Sequence, residues 1–257
     1  ERLIDEAIGY ALAGNDFDFA ASLMEALSRE YVVEIWGNHA IKRGDEIPDA
    51  VLSRYPHLAL QIGMYHAELG HAERAQKYRL LVRTSPNVTE NTELIGRLYT
   101  LEALIANRMN DLEQAYEAAD KALQHLHDDQ TALRITTHIV LGLTYDRHHL
   151  FEKVREASAK ALKIAIDTND ITMILIARGQ IIQSWLIEGH LYQAEAESLA
   201  VIELSKAENR EYVPTVGIVF ALLAIVQFEM NQLDDAFHSA QRCIEICDPV
   251  MPDGICV

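Results

Sequence analysis

Histidine and cysteine are the side chains best suited to hold a metal, and this chain spaces several of them closely enough to ask whether they do. In "HAELGH", His66 and His71 are five residues apart, about 140° around a helix at roughly 100° per residue. Gly70 also breaks the stretch, which is not the H-E-x-x-H pattern of a zinc helix. "HLHDD" (125 to 129) and His148-His149 offer nitrogen and carboxylate donors, but polar turn composition accounts for them without an ion. Cys243 and Cys247 share a helix face at i, i+4, yet two thiols alone complete no structural zinc site. No G-x-S-x-G, Gly-rich phosphate loop or compact carboxylate pair occurs in the sequence. The expectation is a non-catalytic segment holding no metal and no cofactor.

The charge balance narrows the partners. Lys and Arg number 22 against 39 Asp and Glu, a formal net charge of −17, so most of the surface repels a phosphate backbone and direct nucleic-acid binding is not expected. Three cysteines, crowded near one end, form no disulfide framework and fit a reducing, cytoplasmic compartment. The longest apolar run, "VGIVFALLAIV" (216 to 226), is too short to span a bilayer and predicts a buried helix. Aromatics at 7%, with 12 Gly and 6 Pro in 257 residues, favour helices over strands.

The elements that would position any site emerge from a repeat. Short turns followed by x-x-Ala recur at Ala20, Ala75, Ala115, Val154, Ala194 and Ala236, with spacings of 55, 40, 39, 40 and 42 residues. After each of the last four anchors a small or apolar residue returns at +4 and +7, as in Ala119 and Ala122, which is one stripe of a helix. A more apolar helix precedes each anchor: "LYTLEALIANRM", "THIVLGLTY", "MILIARGQIIQSWLI" and "VFALLAIVQFEM".

The pattern predicts an all-α fold, a right-handed superhelix of stacked antiparallel helix hairpins (a TPR-like α-α solenoid) with a period of about 40. Residues 1–54 read as an irregular helical lead-in containing the first hairpin, with "YVVEIWGNHAIKRG" and "IPDAVLSRY" forming an additional short one. Repeats then run over about 55–89, 90–130, 131–169, 170–210 and 211–247, and 248–257 is a tail. Asn15-Asp16, Gly70, Asn110-Asp111, Gly189 and Asn231 supply the turn conformations, with His148-His149 the exception.

"LGLTY" (141 to 145), a Leu-Gly-x-x-Tyr ahead of its anchor, resembles the tetratricopeptide motif, and Gly63 stands at the same offset from Ala75 as Gly142 from Val154. The repeat exceeds the usual 34 residues, so longer helices are expected. Three stretches together resemble the helical sensor region of large ATP-dependent bacterial transcription activators of the maltose-regulon type, which carry a LuxR-like DNA-binding module. They are "IDEAIGYALAGNDFDFAASLM", "IPDAVLSRYPHLALQIGMYHAELGHAERAQ" and "ALKIAIDTNDITMILIARGQIIQSWLIEGHLYQAEAESLAVI".

The resemblance implies a sensor domain that receives a small-molecule effector or a regulatory protein and signals to neighbouring domains of the same chain. ATP would be bound only by a nucleotidase domain outside this segment, since no P-loop pattern occurs here. A start at "ERLIDEA" without methionine agrees with a piece of a longer protein. A stand-alone TPR-like adaptor for proteins or peptides is the alternative, and the apolar end near "VGIVFALLAIV" would be capped by further repeats or pair with another copy as a homo-oligomer.

Stacked hairpins have a concave face lined mainly by the first helix of each pair. Offsets of −18, −15, −11, −8 and −7 from the anchor predict Arg97, Thr100, Leu104, Asn107 and Arg108 on it, then Thr136, Ile139, Leu143, Asp146 and Arg147, then Ile176, Gly179, Gln183, Leu186 and Ile187. The candidate ligand- or partner-binding set is Arg97, Thr100, Asn107, Arg108, Asp146, Arg147 and Gln183. Its three arginines could hold a carboxylate, a phosphate or an acidic peptide, or could equally cover apolar surface and pair with local acids.

Overall fold

A computed structural model describes residues 2–30, 41, 43–85, 88 and 91–247. Every regular element among them is helical. In order these are α1 (Arg2–Ala13), α2 (Phe17–Glu30), a 3-10 turn (Gly44–Glu46), α3 (Asp49–Leu52), α4 (Pro56–Glu68), α5 (Ala72–Arg83), α6 (Thr92–Arg108) and α7 (Leu112–His125). They continue with α8 (Thr131–Arg147), α9 (Phe151–Asp167), α10 (Ile171–Ile187), α11 (Leu191–Ala207), α12 (Pro214–Glu229) and α13 (Leu233–Cys247). The expected hairpin in "YVVEIWGNHAIKRG" and the expected tail 248–257 lie largely or wholly outside the described residues; of "IPDAVLSRY", Asp49–Leu52 is helical. No helix among the described residues is long and apolar enough to cross a membrane.

The turns explain why the chain reverses where it does. Asn110 adopts φ 61°, its N–H bonds the Asn107 carbonyl at 3.1 Å, and the Asp111 N–H bonds the Ala106 carbonyl at 2.9 Å. These two bonds are the Schellman closure of a helix. The Asp111 carboxylate then accepts from the Gln114 N–H at 3.0 Å and caps α7. One Asn-Asp pair thus ends one helix and starts the next. Asn15-Asp16 and Asn169-Asp170 repeat it, with the aspartates accepting from Phe19 N–H at 3.2 Å and Met173 N–H at 3.0 Å. Gly70, Gly189 and Asn231 take the same backbone conformation.

The exception expected at His148-His149 is not one of geometry. His149 itself adopts φ 57°, and the Leu150 N–H closes onto the Tyr145 carbonyl at 2.9 Å. A side chain that ordinarily avoids this region is held there by the turn.

The chain divides into two compact units, residues 1–144 and 145–257. In the first, α4 to α7 pack around Leu58, Leu60, Ile62, Tyr78, Leu101 and Ile105, all buried. Gly63 lets these helices pack closely, because a Cβ would stand 2.8 Å from Leu101 Cδ2 and 3.2 Å from Tyr78 Cβ and one of them would have to shift. In the second, Leu175, Ile182, Val201, Val216, Val219, Leu223 and Val226 form an apolar core between α10, α11 and α12. The six anchors Ala20, Ala75, Ala115, Val154, Ala194 and Ala236 are all buried. Their small size lets a neighbouring helix approach, which is why α7 keeps Ala115, Ala118, Ala119 and Ala122 on its inner face. Helices α6, α8, α9, α10 and α11 are each 17 residues long, and two such helices with their turns account for a period near 40.

Candidate functional site

The residues expected on an open inner wall divide into two groups. Arg97 (3% exposed), Thr100 (1%) and Asn107 (2%) are buried within the first unit, which corrects the expectation that they face a ligand. Arg97 Nε donates to Glu93 Oε1 at 3.1 Å, and Glu93 lies 3.9 Å from His57 Nδ1. The Thr100 and Thr137 hydroxyls share a hydrogen bond of 2.9 Å, and Asn107 Nδ2 donates to Thr144 Oγ1 at 3.1 Å. These side chains join α6 to α8. Arg108 Nη2 donates to the Glu68 carbonyl at 2.7 Å, tying α6 to α4. Burial raises the Glu68 carboxyl to about 7 against the opposing charge of Arg108.

In the second unit Gln183 Nε2 donates to Asp146 Oδ2 at 3.1 Å, while Asp146 Oδ1 finds no partner among the described residues. Burial raises the Asp146 carboxyl, opposed by the charges of His149 and Arg147. Arg147 is exposed. The three bonded pairs Thr100–Thr137, Asn107–Thr144 and Asp146–Gln183 are each 37 residues apart. This falls about three short of the repeat period, nearly one helical turn. The −15 and −8 positions taken for a ligand wall therefore serve at Thr100, Asn107 and Asp146 as contacts to a successive first helix.

His66, the other residue of chemical interest, is also internal. Its Nε2 lies 3.0 Å from Asp45 Oδ1, its ring stacks on Tyr78 at 5.7 Å, and His71 is a ring neighbour at 5.8 Å. Asp45 further accepts from the Tyr78 hydroxyl and from Arg74 Nη1 at 3.1 Å. Burial alone would raise the Asp45 carboxyl, but the hydrogen bonds from Tyr78 and His66 and the charge of Arg74 hold it below its usual range. Burial and the Asp45 contact push the Tyr78 phenol well above its own. This cluster fastens the 3-10 turn to α4 and α5. Cys243 and Cys247 are buried in α13, with Cys247 Sγ 2.4 Å from where a Cβ on Gly217 would stand.

An open cavity of about 290 Å³ lies elsewhere in the first unit, between α5 and α7 with α6 beneath. Its wall includes Arg79, Arg83, Tyr99, Glu102, Glu117 and Lys121. Glu102 accepts from Arg79 Nη1 at 3.1 Å and Arg83 Nη1 at 3.4 Å. Lys121 stands 3.6 Å from Glu117 and 6.0 Å from the centre of the Tyr99 ring; Tyr99 stacks on His125 at 5.7 Å. The hairpin geometry creates this groove, because α5 and α7 both carry a small anchor that sits α6 closely against them while their longer side chains stand apart above it.

This groove draws its cations from residues outside the set expected from the sequence. A readable signal was available in "AERAQKYRLLVR", whose sequence holds four cations, Arg74, Lys77, Arg79 and Arg83, and one acid, Glu73, in an otherwise acidic chain. It fell on a second helix of a pair, outside the offsets taken to line the concave face.

With the geometry established, comparisons place the chain among known proteins. A family model described as MalT-like TPR region matches residues 96–256, more than half of the chain. No curated protein matches it. Among solved structures, the apo form of RapI aligns with a TM-score of 0.61 at 12% identity, covering 76% of this chain and 70% of that one. BtubC (BKLC) from P. vanneervenii aligns with a TM-score of 0.61 at 12% identity, covering 93% of this chain and 91% of its own. Likeness at that identity concerns the fold, a TPR-like array of helical hairpins.

Proposed function

The chain belongs to the MalT-like TPR regions, and from that premise we propose that it is the signal-sensing domain of a cytoplasmic, LuxR-type bacterial transcription activator. The observation that carries the reading is the match over 96–256, which spans nearly the whole of α6 to the end of α13. The domain is non-catalytic. It binds an effector or a regulatory protein, and ATP is held by a separate nucleotidase domain of the full receptor.

Its mechanism is differential binding. A ligand that contacts one arrangement of the hairpins better than another shifts the receptor between resting and active states by no more than that difference in affinity. Stacked repeats suit this role because each hairpin contacts mainly its neighbours, so small changes in packing accumulate along the array.

The test is the coding sequence on either side of this segment. A P-loop upstream and a helix-turn-helix module downstream are the expected result. A start codon immediately before Glu1 with a stop codon after Val257 would overturn the activator reading in favour of a stand-alone TPR-like adaptor.

A further inference from the structure

The groove between α5 and α7 holds more positive charge than its own acids balance. Arg79, Arg83 and Lys121 face Glu102 and Glu117, a local excess of one positive charge in a chain of net charge −17. Both arginines share one carboxylate, Glu102, whose side chain is 16% exposed. The Arg79 side chain is 21% exposed, and its buried Nε finds no acceptor among the described residues. By contrast, Arg83 and Lys121 are 58% and 50% exposed and within reach of an incoming group. Tyr99, Ile105 and Ala118 add an aromatic and apolar patch to the same wall.

We propose that this groove binds a carboxylate side chain of an acidic peptide segment. The guanidinium of Arg83 supplies directed hydrogen bonds to a planar carboxylate, Arg79 adds its charge from deeper in the wall, and Lys121 supplies a point charge from α7. The Tyr99 ring and its apolar neighbours accept the methylenes of the same side chain. A cavity of about 290 Å³ lies at the lower edge of the range for drug-sized ligands and suits one or two amino-acid side chains. Because Glu102 and Glu117 remain in the wall, a singly charged carboxylate is favoured over a doubly charged phosphate. The assignment deepens the partner-binding reading above and rests on it, but its test does not depend on what flanks the segment.

The experiment is fluorescence anisotropy at low salt with a fluorescein-labelled tetraglutamate peptide and the whole 257-residue chain. Arg83→Gln with Lys121→Gln should weaken binding about tenfold or more, with helicity by circular dichroism unchanged, since both side chains are largely exposed. Lys160→Gln with Lys163→Gln, exposed on α9, makes the same change in net charge and should leave affinity within about twofold. Lys121→Gln alone should give an intermediate loss. Free glutarate should compete more weakly than the peptide, and inorganic phosphate more weakly still. Failure of the parent chain to bind, equal losses in both double variants, or stronger displacement by phosphate or glutarate than by unlabelled peptide would each overturn the assignment.

Discussion

The first helices of successive hairpins are joined differently at α6–α8, in the first unit, and at α10–α12, in the second. In the first, α6 meets α8 through Thr100–Thr137 and Asn107–Thr144, hydrogen-bonded pairs buried to 2% exposure or less. In the second, α10 and α12 contribute Leu175, Ile182, Val216, Val219, Leu223 and Val226 to one apolar core, while the polar tie Asp146–Gln183 joins α8 to α10. Apolar packing supplies stability in proportion to area but tolerates sliding, whereas a buried donor and acceptor are satisfied in one register only. The α6–α8 contact thus sets its register with two buried side-chain hydrogen bonds, whereas the α10–α12 contact relies on the fit of its apolar core. The unit that holds this hydrogen-bonded contact also holds the charged groove.

The largest effect belongs to the apolar side of this contrast. Leu223→Ala should destabilise the second unit by about 2–5 kcal/mol in urea unfolding, because Leu223 is only 2% exposed within a packed cluster; a loss below about 1 kcal/mol would show that the core there is loosely filled.

On the polar side, Thr144→Val removes the acceptor of Asn107 and should cost about 1–3 kcal/mol, while adding Asn107→Leu should recover part of that loss. Strict additivity of the two changes would break the idea that the pair acts as a unit.

The pH dependence is smaller and its sign is fixed by Glu68. Its folded-state pKa is raised to about 7, so the native chain binds a proton that the unfolded chain releases near its ordinary value. Stability should therefore fall as pH rises from about 4.5 through 7, by on the order of 1 kcal/mol since the side chain is partly exposed. Glu68→Gln should flatten the dependence in thermal melts taken across that range.

Smallest of all, His149→Gly should stabilise the chain by roughly 0.5–1 kcal/mol, because glycine occupies φ 57° without strain. No gain in Tm would mean that the His149 contact with Phe151, at 5.8 Å between ring centres, offsets the backbone cost.

The helical array was legible because two independent signals kept phase. Small anchors recurred near every 40 residues, and Asn, Asp or Gly followed most first helices, which is what close packing and a Schellman turn respectively demand. His149 shows where the second signal thins: an unfavourable residue can hold the turn when the closing hydrogen bonds are made. The site was less legible. Periodicity says which residues share a stripe, but not whether that stripe meets solvent or another helix, and Thr100, Asn107 and Asp146 all sit on a stripe that meets a helix 37 residues on. The groove depends on side chains from α5, α6 and α7 converging in space, and no spacing within one helix encodes that.

Hydrogen–deuterium exchange of the whole chain, with and without the tetraglutamate peptide, tests most directly that the charged groove is where a partner is received. Added protection should concentrate in α5 and α7, over Ala72–Arg83 and Leu112–His125. Protection confined instead to α8 and α10, which carry Asp146, Arg147 and Gln183, or none anywhere, would contradict it.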